Sequence, residues 1–98
     1  MLFALICKDK PGSLQVRLDT RPAHIAFLEG LNAEKKLAFA GPFLDADGTP
    51  NGSLVVVEAP DLAGAEALSA ADPYAKAGLF ESVEIRQWNW TFNKPAAS

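Results

Sequence analysis

Two short runs constrain this chain more than any other feature. Leu2–Cys7 and Ser53–Glu58 have the length of strands, and each is apolar on both of its alternating faces. In the first, Leu2, Ala4 and Ile6 share one side while Phe3, Leu5 and Cys7 share the other. A strand that is apolar on both sides must be covered on both sides. The chain has 98 residues, enough for one domain, expected over 1–98 with a frayed tail over 93–98. Any fold must therefore cover both faces of a sheet with very little material.

The remaining segments supply one cover. Pro22 suits the first turn of a helix, because its missing N–H is an orphan there anyway, and the periodicity predicts a helix from Pro22 to about Lys36. Ser13 to Leu18 can make a helical turn before it. His24, Phe27, Leu28 and Leu31 lie on one stripe of that helix. Leu37 to Phe43 reads as a second strand, with Gly41-Pro42 tolerable at a sheet edge. Asp-Gly and Asn-Gly in LDADGTPNGS punctuate a hairpin into the Ser53 strand. Asp61 caps a second helix, Leu62 to about Ala71, which Asp72-Pro73 closes. YAKAGLFES leads to a fourth strand, Val83 to Phe92, with Trp88, Trp90 and Phe92 on one side.

The order β-α-β-β-α-β, with right-handed crossovers, is the α+β ferredoxin-like arrangement: one antiparallel sheet with both helices on one face. The other face stays apolar and bare, and a patch of several hundred Å² is a liability in a monomer. The simplest cover is a second copy, so a homodimer through the sheet face is expected.

Composition excludes several functions. Nine Lys and Arg against twelve Asp and Glu give a net charge of −3, the wrong sign for a nucleic-acid partner. No run approaches a membrane span. One cysteine and one histidine make neither a disulfide nor a zinc cage, so no metal is expected. MLFALICKDK lacks a basic leader and a cleavage site, which with the single thiol favours the cytoplasm. Neither helix opens on a phosphate-binding glycine loop, and no nucleophile elbow occurs. Any chemistry is therefore expected to be cofactor-free proton transfer on a small-molecule ligand.

The candidates for that chemistry are few. His24 falls mid-stripe and points inward. Placed in the first helical turn, it would feel the positive end of the helix dipole, which keeps an imidazole neutral and able to accept a proton. The plainer alternative is a core histidine with one hydrogen bond. Asp72 is either a turn-closing residue or the partner of His24. Contact between them is not guaranteed when one opens helix one and the other ends a parallel helix two. Arg17 and Arg21 can fork onto an anionic group, or simply face solvent. Tyr74 can donate a phenolic proton or pack as an amphipathic edge residue. Cys7 reads as a small buried hydrophobe.

RPAHIAFLEGLNAEKKLAFAGPF and ADPYAKAGLFESVEIRQW together closely resemble the YCII-related family of small proteins. The resemblance runs from Met1 to about Trp90. Its most specific parts are Arg17 with Arg21-Pro22-Ala23-His24, the Ala40-Gly41-Pro42 turn, and Asp72-Pro73-Tyr74. Departures at Gly12 and Lys36 lie away from these motifs. The resemblance implies a ferredoxin-like fold paired into a dimeric α/β barrel, with a His–Asp pair carried here by His24 and Asp72. Its fold hosts several chemistries. The expected activity is that of a lyase or isomerase acting on a small anionic substrate of cyclic or aromatic type. A non-catalytic ligand-binding or accessory subunit and a monooxygenase-like enzyme are the alternatives.

Overall fold

A computed structural model describes residues 1–96. The chain runs β1 (Leu2–Asp9), α1 (Leu14–Ala33), β2 (Leu37–Leu44), β3 (Pro50–Glu58), α2 (Leu62–Ala71), α3 (Pro73–Lys76) and β4 (Phe80–Trp88). The strands form one sheet in the order β2-β3-β1-β4, and every neighbouring pair is antiparallel. This is the ferredoxin-like arrangement, with the two doubly apolar strands at its centre. Gly41-Pro42 falls on the edge strand β2, where the absent N–H costs no ladder bond on the open side.

The inner face is set by the pleat. Phe3 and Leu5 stand opposite Val57 and Val55, and these four form the core with Cys7, Leu31 of α1, Ala59 and Ala65 of α2. Small residues suit α2 to its place: Ala65 is fully buried in the core, and a Cβ on Gly64 would approach Pro60, in the turn that leads into the helix, to 3.1 Å.

The outer face corrects the expectation of a bare surface. Phe39 stands opposite Val56 across β2 and β3. It packs edge-on against Trp88 and Trp90, with ring centres 5.6 and 5.0 Å away. Val56 is thereby 2% exposed although it faces away from the helices. Leu2, Ala4, Ile6 and Leu54 on the same face remain half-buried.

Several boundaries move. Helix α1 does not begin at Pro22. It begins at Leu14 and carries Pro22 inside it. The missing N–H deprives the Leu18 carbonyl of its donor, but Leu18 and Pro22 are both exposed, so water is at hand. At the other end Lys35 takes a left-handed φ of 60°. There Lys36 N–H donates to the Leu31 carbonyl and Lys35 N–H to that of Asn32, a Schellman closure made without glycine. The YAKAGLFES connector holds all of α3 but its first residue, Pro73, and the start of β4, and β4 ends at Trp88 rather than Phe92. Trp90 instead donates through Nε1 to the Phe92 carbonyl at 2.6 Å, leaving the Phe92 side chain 82% exposed. Of the expected frayed tail, 93–96 carry no regular structure, while 97 and 98 lie outside the described residues.

Candidate active site

The longer helix changes the setting of His24. It lies eleven residues into α1 rather than in its first turn, beyond the reach of the terminal dipole, which fades within one turn. The same change removes the obstacle to Asp72, since α1 packs against α3, whose N-cap is Asp72. His24 Nδ1 and Asp72 Oδ1 are 2.9 Å apart, both side chains less than a tenth exposed. Asp72 Oδ1 also accepts from the Tyr74 backbone N–H at 2.9 Å, capping α3. The local and the long-range readings of Asp72 therefore hold together.

A carboxylate only accepts, so the proton between these groups sits on Nδ1. Nε2 is then the basic nitrogen. It has no partner among the described residues, and no buried side-chain nitrogen or oxygen there lacks one, so Nε2 is not sealed in. His24 lines a cavity of about 280 Å³.

That cavity lies between α1 and the edge of the sheet. Arg17, Leu18, Arg21, His24, Ile25 and Leu28 supply the helix side, Ala40–Pro42, Pro50, Ser53 and Val55 the sheet side, and Tyr74 the third wall. Tyr74 organises the centre. Its ring stacks on the His24 imidazole, 3.9 Å between centres at 17°, and the Arg17 guanidinium carbon lies 4.7 Å from its centroid. Arg17 and His24 are two helical turns apart on one stripe, so one ring reaches both.

Arg17 is not the free anion clamp its sequence position suggested. Nε and Nη2 donate to the two carboxylate oxygens of Asp9 at 2.7 and 2.8 Å, and Nη2 also donates to Ser53 Oγ at 3.0 Å. Burial acts to lower its pKa, but the hydrogen bonds and charge of Asp9 outweigh it and the net direction is upward. Burial also raises the Tyr74 phenol, against the opposing charges of Arg17 and Arg21. Arg21 lines the cavity with no ion pair among the described residues.

Sequence reading missed Asp9 and Ser53. The available signal was alternation: Phe3, Leu5, Cys7, Asp9 and Ser53, Val55, Val57 are the inward series of β1 and β3. A charged or hydroxyl residue continuing such a series is buried and must be paired. Cys7 sits nearby, but its thiol is pushed up to about 12, chiefly by burial and also by the charge of Asp72. It is no nucleophile. Among the described residues no group of three or more His, Cys, Asp and Glu is placed to hold a metal ion. No helix there is long and apolar enough to cross a membrane.

Protein YciI of Escherichia coli O6:H1 (strain CFT073) is 38% identical over 98 residues, covering 94% of this chain and all of the relative. The 5-chloro-2-hydroxyhydroquinone dehydrochlorinase TftG of Burkholderia phenoliruptrix AC1100, solved with 2,5-dihydroxybenzoquinone, is 40% identical with a TM-score of 0.83. That match covers 91% of this chain and 94% of TftG. A NIPSNAP family protein of Agrobacterium tumefaciens, 20% identical with a TM-score of 0.56, covers 98% of this chain and 97% of its own and shares the fold alone. The YCII-related domain profile matches residues 1–89. With the full-length relative, that match makes this chain a member of the YCII-related family.

Proposed function

We propose that this protein is a cofactor-free lyase in which His24 acts as general base on a small hydroxylated ring. One observation carries the reading: Nδ1 is held at 2.9 Å by buried Asp72, which leaves Nε2 as the basic nitrogen of a residue lining a cavity. Asp72 fixes the tautomer and stabilises the imidazolium that forms, and Tyr74, stacked on the imidazole, holds the ring plane. The cavity of about 280 Å³ sits at the small end for ligand pockets, roughly 300–1,000 Å³, which suits a single ring. The likeness to TftG supports a hydroxylated, halogen-bearing ring as the substrate.

Proton transfer suffices for this chemistry. Nε2 takes the proton of a ring hydroxyl and returns it to the ring carbon bearing the halogen, giving the keto tautomer. Loss of a second hydroxyl proton then drives halide out with its bonding pair. The products are a quinone, a proton and a halide, with no external oxidant required.

A second copy seated on the outer sheet face would complete the fold. The support is the half-buried patch of Ala4, Ile6 and Leu54 beside the aromatic cluster.

The test is anaerobic incubation with 5-chloro-2-hydroxyhydroquinone, following free chloride and quinone absorbance. The unaltered protein should release chloride, and His24→Ala should lower kcat by ~10²–10⁴-fold, the usual contribution of a positioned base. Undiminished turnover in His24→Ala would end the proposal.

A further inference from the structure

One donor in the cavity wall is unspent. Ser53 is 3% exposed and lines the cavity. Its oxygen accepts from Arg17 Nη2 at 3.0 Å, and its hydroxyl proton donates to nothing among the described residues. A buried hydroxyl that accepts from a guanidinium is polarised into a stronger donor. Arg17 is more nearly spent: Nε and Nη2 are committed to Asp9 and Ser53, and the guanidinium also lies within hydrogen-bonding range of the Tyr74 phenol. Because Asp9 grips the fork through both oxygens, Arg17 is fixed in place before any ligand arrives.

We propose that Ser53 and Arg17 form an oxyanion-binding pair, taking a phenolate or enolate oxygen of the substrate in the cavity that His24 also lines. The inference rests on the base role of His24 and specifies the charge state of the substrate. Asp9 offsets the charge of Arg17, so the pair acts as fixed dipoles rather than a bare cation. Fixed donors aimed at developing negative charge need no reorganisation during the reaction. The proton that His24 removes leaves its electron pair on a ring oxygen, and the Ser53 hydroxyl, backed by the Arg17 guanidinium, stabilises it. Arg21, which has no ion pair among the described residues, adds attraction for an anion at the same cavity without fixing its position. Asp9 is by the same argument a positioning residue that acts through Arg17.

The test is equilibrium binding of 2,5-dihydroxybenzoquinone, followed through its visible absorption, beside binding of uncharged hydroquinone. A hydrogen bond to a charged group is lost in Ser53→Ala, so dihydroxybenzoquinone binding should weaken about tenfold or more. Hydroquinone binding should change less than about threefold, well inside the range of neutral contacts. Ser53→Thr, which keeps the hydroxyl, should restore most of the loss and guards against a folding defect in the alanine variant. Equal affinity of Ser53→Ala and the unaltered protein for dihydroxybenzoquinone would overturn the pair. So would a parallel loss for both ligands, or no binding by the unaltered protein at millimolar concentration. Failure here is separate from failure of the base: His24→Ala is judged by chloride release, Ser53→Ala by discrimination between charged and neutral rings.

Discussion

Asp9→Ala isolates the contact that holds the site rigid. Asp9 and Arg17 side chains are each 6% exposed, and their two short hydrogen bonds are bidentate. Removing the carboxylate strands a buried guanidinium, and breaking such a pair from one side costs about 3–5 kcal/mol. Arg17 keeps Ser53 and the Tyr74 face, and the cavity can admit water to its free nitrogen, so the lower end applies, about 3 kcal/mol. For a domain near this length the unfolding entropy is roughly 0.2 kcal/mol/K, so Tm should fall by about 15 °C. Urea unfolding read through Trp88 and Trp90, which pack on Phe39, gives the free energy. Replacing the whole pair, Asp9→Leu with Arg17→Met, leaves no orphan charge and should come within about 1 kcal/mol of the unaltered protein. The double variant should nevertheless lose dihydroxybenzoquinone binding. If Asp9→Ala alone lies within about 1 kcal/mol of the unaltered protein, the pair is solvated and the rigid-donor reasoning fails.

Three further outcomes follow from the same geometry. Asp72→Asn keeps an acceptor for the Tyr74 cap but no longer imposes the Nδ1–H tautomer, so kcat for chloride release should fall by ~10²-fold or more with little change in Tm; an unchanged kcat would remove Asp72 from the mechanism. Alkaline stability should decline above pH 9: the unfolded chain loses the Cys7 proton from its ordinary value of 9.0 while the folded chain keeps it up to about 12. The unfolded state then binds fewer protons, so stability falls as pH rises through that window, with Tyr74 acting in the same direction. Cys7→Ala should flatten the decline in urea midpoint, and an identical slope would contradict it. Leu54→Glu on the outer face should give monomers in sedimentation velocity, and an unchanged dimer would place the partner elsewhere.

The architecture was legible because it follows from patterning. Two doubly apolar strands, helical periodicity around His24 and punctuation at Asp72-Pro73 specify the element order and the central strands without any tertiary information. The start of α1 was not legible, because Pro22 carries a local signal for a first turn that an exposed, hydrated helix surface overrides. That single misplacement made His24 look dipole-controlled and Asp72 look distant. The aromatic cover over Val56 was hidden for another reason: Trp90 turns back after β4 ends, and alternation does not report such a return. Asp9 and Ser53 look like turn and strand-edge residues in isolation. Only the register, Cys7 opposite Ser53, brings them together under Arg17.

The central claim concerns one nitrogen, and the chain has one histidine, so ¹⁵N NMR of the imidazole in untagged protein reads it without assignment. The proton should sit on Nδ1 in the free protein, and addition of 2,5-dihydroxybenzoquinone should shift the Nε2 resonance. A proton found on Nε2, or an Nε2 signal that saturating ligand leaves unmoved, would contradict the account.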